Sequence, residues 1–381
     1  MTGSAYKRPL CAIEFVCSLA VLVTWSASVC SQERNERPGP QQAVTLQLHQ
    51  PVERETSGRE KDTYQISLAE GWYVSLVLEG RSVDLLERVL DTQGNIKIQG
   101  EFNSGETQEQ LGFVSEKNGV YRIEVSPAYP KAQTGKYGIR LASVRPATQK
   151  DVLVSKALEL YSQSLELYRA WTYNQALAVG ERALQIQRNA LGDDHPEVAR
   201  TLNLLGLISL GKGEYSTAQT LLQRALIIDE KAFGRRDLAT AQVLDSLANN
   251  LSAQARYTDA ENLAKEALTV RERALGSDHL LVGASLGTLG DIYLAKTDYK
   301  NAEVFAARAQ ELAAKSYGPD DLPYLDFVSR LGRVLTRQGN YPRAEQLILQ
   351  ALHAREALAG KDSLAFADSM ADLGLDRKSV V

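Results

Sequence analysis

The chain has 381 residues, 44% of them hydrophobic and 24% charged, the composition of an ordinary globular protein with room for two or three domains. A net charge of −4 supplies none of the basic excess that nucleic-acid binding would call for, so no nucleic-acid partner is expected. The three cysteines, Cys11, Cys17 and Cys30, all precede residue 31, which excludes a disulfide framework, a cysteine metal site and a cysteine nucleophile from everything after them.

The N-terminus reads as a secretory signal over residues 1–30. Lys7 and Arg8 precede an apolar run from Phe15 to Trp25, and the small residues Ser26-Ala27-Ser28 follow. The run is about half the ~20 residues that a spanning helix needs. The expectation is therefore a periplasmic or secreted protein, with membrane contact only through an uncleaved signal anchor. Residues 31–43, with Pro38-Gly39-Pro40, read as a polar linker.

From residue 44 to 147 the apolar period is two. Tyr64, Ile66 and Leu68 alternate with polar residues, and so do Tyr121, Ile123 and Val125, then Tyr137, Ile139 and Leu141. Such alternation marks half-buried strands. Turn residues separate them at Glu70-Gly71, Gln93-Gly94-Asn95, Asn118-Gly119 and Thr134-Gly135, which predicts a small antiparallel β-sandwich. Asp84 and Asp91 stand where strand-end and turn residues are needed, and both could alternatively offer oxygen ligands to calcium. The stretch resembles the pre-peptidase C-terminal type of β-sandwich, through Tyr64-Gln65-Ile66-Ser67-Leu68-Ala69-Glu70-Gly71, Val83-Asp84-Leu85, Asp91-Thr92-Gln93-Gly94 and Asn118-Gly119-Val120-Tyr121.

From about residue 148 to 375 the period is helical and a longer repeat is laid over it. Tyrosine recurs every 42 residues at Tyr173, Tyr215, Tyr257, Tyr299 and Tyr341. Alanine follows in phase at Ala176, Ala218, Ala260, Ala302 and Ala344, and again at Ala183, Ala225, Ala267, Ala309 and Ala351. Glycine closes the units at Gly192, Gly234, Gly276, Gly318 and Gly360. A fixed period of this size indicates a solenoid: each unit buries its apolar face only by stacking on its neighbours. The tyrosine column is expected to fill core space. His195 and His279 lie in equivalent loops two units apart, which excludes a shared metal ion and leaves loop packing or helix capping.

With Leu205-Gly206, Leu247-Ala248, Leu289-Gly290 and Leu331-Gly332 before the alanine columns, the region resembles the tetratricopeptide repeat. The period exceeds the 34 residues of the common form. Together with loops such as Leu191-Gly192-Asp193-Asp194-His195-Pro196, it is similar to the kinesin-light-chain kind. The resemblance implies an all-α solenoid of antiparallel helix pairs in a right-handed superhelix, with five repeats and part of a sixth. It also implies that the first helix of each pair lines a concave groove. The groove positions carried over are Arg200, Asn203, Asp245, Asn249, Asp291, Ser329, Arg333 and Arg337. They vary from unit to unit while the packing columns stay constant, as a recognition surface for a protein or peptide ligand requires.

No Gly-rich phosphate loop, His-Glu-x-x-His or Gly-x-Ser-x-Gly occurs, so no catalytic residue, cofactor or metal is expected within this chain. The sixth unit matches up to Leu373-Gly374-Leu375 and then stops abruptly in Asp376-Arg377-Lys378-Ser379-Val380-Val381, six residues that a common sequencing adapter would encode, so the gene is expected to continue. The layout also resembles bacterial proteins in which a sandwich and long repeats lead into a caspase-like peptidase of the CHAT type. That resemblance implies an alternative role as the regulatory half of an enzyme.

Overall fold

A computed structural model describes residues 43–80, 83–102, 109–131 and 134–359. The expected signal, the linker up to residue 42, the partial sixth repeat and the six-residue tail lie outside the described residues. The chain forms two compact units, divided after Ser162 inside helix α1 (Gln149–Arg169).

The first unit is a sandwich of two sheets. One has the strand order β1 (Val44–Thr45), β3 (Asp62–Leu68), β8 (Gly119–Pro127), β5 (Leu85–Leu90), β6 (Ile96–Phe102). The other runs β2 (Val52–Thr56), β9 (Gly135–Pro146), β4 (Trp72–Gly80), β7 (Glu109–Val114). All pairings are antiparallel except the short β1 on β3. The alternating residues point inward as their period requires: Tyr64, Ile66, Leu68, Tyr121, Ile123, Val125, Tyr137, Ile139 and Leu141 share one apolar core. A polar link crosses it. The hydroxyls of Tyr64 on β3 and Tyr137 on β9 are 2.7 Å apart, and Tyr137 donates to Asp62 at 2.6 Å. Burial pushes the Tyr64 hydroxyl up to about 12, so the pair stays neutral and bonded at any ordinary pH.

Asp91 is a turn residue. Its carboxylate accepts from the backbone N–H groups of Gln93 (2.8 Å) and Asn95 (2.9 Å) and from the Asn95 side chain (3.1 Å). Burial works against these bonds, but together they hold the carboxyl below its ordinary range. The change to helical period does not coincide with the end of the sandwich. Leu158 of α1 packs on the sandwich core, Ser155 Oγ accepts the Val114 N–H at 3.3 Å, and Lys97 pairs with Glu159.

The second unit stacks helices α2 (Tyr173–Leu191), α3 (Pro196–Gly211), α4 (Tyr215–Ala232), α5 (Leu238–Ala253), α6 (Tyr257–Leu275), α7 (Leu280–Ala295), α8 (Tyr299–Ser316), α9 (Leu322–Gln338) and α10 (Tyr341–Ala359). Each even-numbered helix begins on the repeating tyrosine. The alanine columns are fully buried, which lets paired helices approach closely. At Gly206 a Cβ would lie 2.6 Å from Leu222, so α3 and α4 meet there at backbone distance. Gly192, Gly234 and Gly276 end their units at φ values of 90°, 87° and 85°, a region that side chains strain to enter. His195 and His279 cap α3 and α7: each Nδ1 accepts the N–H two residues on, at 3.2 and 3.1 Å.

The tyrosines themselves are half-buried. The core belongs to the alanines and leucines, and the expectation of a tyrosine core is corrected. The ring sits at the start of its helix and packs sideways: a Cβ at Gly211 of α3 would lie 2.8 Å from the Tyr173 ring. Surface ion pairs stitch successive units, and their polarity alternates. Asp194 in the loop before α3 takes Arg224 of α4 at 2.6 Å, and Asp278, two units on, takes Arg308 of α8 at 2.7 Å. In the unit between them the signs reverse, with Arg235 in the loop and Glu266 on α6 at 2.6 Å.

Candidate functional site

Successive first helices α3, α5, α7 and α9 touch one another as well as their partners, so they form the more closely spaced, inner row of the array. Their inner positions carry the residues singled out from the sequence, and the structure sorts these into three groups.

Asp245 and Asp291 are engaged within the protein. Asp245 on α5 is 4% exposed. Its Oδ2 accepts from Arg271 of α6 and from Ser285 Oγ of α7 (2.8 Å), while Arg271 also donates to Ser285 Oγ (2.7 Å) and to the Leu281 carbonyl (3.2 Å). Burial pushes the Asp245 carboxyl up, and Arg271 and Ser285 pull against it. Asp291 on α7 pairs with the buried Arg330 of α9, and Asp326 pairs with the buried Arg355 of α10 in the same manner. These acids tie the array together, and losing one would leave a buried guanidinium without its counter-ion.

Arg200, Arg333 and Arg337 have their side chains wholly or partly in solvent. Arg200 lies 3.9 Å from Glu197, a turn away on α3.

Asn203, Asn249 and Ser329 form the third group. They are 6%, 2% and 2% exposed, yet Asn203 Oδ1, Asn249 Oδ1 and Ser329 Oγ accept and donate nothing among the described residues. Nearly all buried polar side-chain atoms in folded proteins have a partner. All three lie on helices of the inner row, as do the similarly partnerless Thr201 Oγ1, Ser209 Oγ, Asn250 Oδ1 and Thr288 Oγ1. Asn and Ser can meet the N–H and C=O groups of an extended chain.

One further column is functional and is masked in the sequence by its changing residue type. Four residues beyond the second alanine column stand Gln187, Asp229, Arg271, Ala313 and Arg355, on the same buried face of the second helices. The signal was a polar residue recurring in an apolar stripe, and it supplies the guanidinium groups that hold Asp245 and Asp326.

Among the described residues no group of three or more His, Cys, Asp or Glu is placed to hold a metal ion, and no helix is long and apolar enough to cross a membrane.

Residues 172–231, 206–273 and 237–315 match the tetratricopeptide repeat, and residues 328–365 match a second form of the same repeat. The helical unit is thus an array of tetratricopeptide repeats. No curated protein matches the chain. Among solved structures it is similar to a putative kinesin light chain from Podosopora anserina with nearly identical TPR-like repeats: 18% identity over 52% of this chain and 94% of that one, TM-score 0.41. It is also similar to BtubC (BKLC) from P. vanneervenii, with 20% identity, 56% and 94% coverage and a TM-score of 0.42. A third likeness is to a Rap protein crystallised with Competence and Sporulation Factor, with 14% identity, 59% and 62% coverage and a TM-score of 0.50.

Proposed function

We propose that the helical array is a protein–protein interaction scaffold that holds an extended peptide segment of its partner along the inner row of helices. The supporting observation is the trio of buried, partnerless acceptors, Asn203 Oδ1, Asn249 Oδ1 and Ser329 Oγ, spread over α3, α5 and α9. Constant alanine and glycine columns set the frame, and the inner positions are free to vary with the ligand. The Rap protein, crystallised with Competence and Sporulation Factor, shares this fold, and the likeness extends no further than the fold.

Selection of a random peptide library on the full chain tests the reading. Peptides that bind wild type and lose most of their affinity to the Asn203→Ala/Asn249→Ala/Ser329→Ala variant, at unchanged melting temperature, are the expected result. Peptides indifferent to the triple variant would refute it.

The wider assignment belongs to the same proposal. Residues 1–30 would direct export, 31–43 would link, the sandwich would follow to 147, and the repeats would act outside the cytoplasm. The order of charged, apolar and small residues at the N-terminus supports this. N-terminal sequencing of the expressed protein should find a start just after the small-residue zone. A start at Met1 would count against export.

A further inference from the structure

One set of three positions recurs in each unit, and its contents differ in an informative way. It comprises an inner residue of the first helix, the buried residue of the second helix four beyond the alanine column, and an inner residue of the next first helix. In one unit these are Asp245, Arg271 and Ser285, closed by the hydrogen bonds described above. One unit on, they are Gly287, Ala313 and Phe327, and the phenylalanine is buried at 2% exposure. One unit earlier, they are Asn203, Asp229 and Val243.

That earlier set is incomplete. Asp229 on α4 is 5% exposed, and among the described residues its carboxylate makes no hydrogen bond and no ion pair. Asn203 Oδ1 is buried and equally without a partner. Two acceptors therefore stand where the following unit has an acceptor and a guanidinium. Two short side chains stand at positions where the next unit has a long and a short one. No donor is present to satisfy either. Burial holds the Asp229 carboxyl up at about 7, and the nearby acids Asp237 and Glu197 push the same way, as they would at a site lacking its cation. Asp229 is not among the buried partnerless atoms, so its carboxylate keeps a trace of contact with solvent.

We infer that the Asp229–Asn203 position is a specificity pocket for one basic side chain, arginine or lysine, of the bound peptide. The ligand supplies in this unit the charge-assisted donor that Arg271 supplies internally in the next. An arginine matches best, since its guanidinium can serve a carboxylate and an amide oxygen at once. The inference rests on the proposed peptide-binding role and names the partner chemistry of that groove.

The test uses the same library selection on the full chain. Enriched peptides should share one basic residue at a fixed place. Replacing that arginine by the neutral isostere citrulline should weaken binding to wild type by at least about tenfold, as expected for loss of a charge-assisted hydrogen bond. It should weaken binding to Asp229→Asn by less than about twofold. A second variant, Asp229→Arg with Asn203→Asp, rebuilds the internal pair of the next unit. It should stay folded by circular dichroism and lose the preference for a basic residue. Peptides that depend on Asn249 and Ser329 but carry no fixed basic residue would overturn the pocket and leave the groove standing. Peptides that depend on none of these residues would overturn both.

Discussion

The Asp229 carboxylate offers a test of the local physics that needs no ligand. Its folded pKa stands near 7 against an unperturbed 3.8, because burial disfavours the charge and no cation compensates it. Between those values the folded chain holds a proton that the unfolded chain has released, so stability falls as pH rises from about 4 to about 7. Some three pK units at about 1.4 kcal/mol each set an upper bound of roughly 4 kcal/mol on the loss. Asp229→Asn removes the charge while keeping the shape. The variant should match wild type to within about 1 kcal/mol at pH 4, where the group is neutral in both states, and exceed it by roughly 2–4 kcal/mol at pH 8. For a repeat unit of this size that is on the order of 5–10 °C in melting temperature. Urea unfolding followed by helical circular dichroism at the two pH values measures it. An equal difference at pH 4 and pH 8, or none at either, would show that Asp229 is solvated or paired and would remove the physical basis of the pocket.

Breaking the internal pair with Asp245→Ala should destabilise the array by about 3–5 kcal/mol by stranding Arg271, measurable in the same urea experiment. Tyr257→Ala should cost only about 1–2 kcal/mol because the ring is half-buried, whereas Leu222→Ala, at full burial, should cost about 2–5 kcal/mol, so the order of the two denaturation midpoints checks where the core lies. His195→Ala removes the acceptor that caps α3 and should cost about 1 kcal/mol. Gly206→Ala should cost about 1–3 kcal/mol by driving a Cβ against Leu222, read as a lower melting temperature.

Much of this architecture was legible in the residues. Period-two alternation located the strands because each strand has one face in the core, and the 42-residue columns located the helix pairs because small residues are needed wherever two helices nearly touch. The misreadings have a common origin. A tyrosine repeated five times looks like core, but repetition reports a constant place in the unit, and that place is a half-buried helix start, where Tyr173 packs beside Gly211. Asp245 and Asp291 look like solvent-facing groove residues on α5 and α7, but each has a basic partner far away in sequence, Arg271 and Arg330, that only stacking brings into reach. The end of the sandwich was likewise hidden, because α1 shows one helical period throughout while its first half packs on strands and the second on helices.

The inner row and the interior of a solenoid are not separate compartments, and the recurrent three-position set shows why. In the unit of Asp245 the acidic inner residue is neutralised from within by the second helix, which fixes α5, α6 and α7 and removes that acid from any ligand's reach. In the unit of Asp229 the same two helices leave acceptors unmet. That unit forgoes the stability that the double exchange Asp229→Arg with Asn203→Asp, the pairing found next door, would supply. A neutral residue at position 229 would relieve the repulsion from Asp237 and Glu197 at once. In the proposed pocket the basic group of the ligand would relieve it as well. Under the proposed function the two ligand-facing requirements, backbone acceptors at Asn249 and Ser329 and a charged anchor at Asp229, fall on different helices, so affinity and selectivity would change independently while the alanine columns hold the frame.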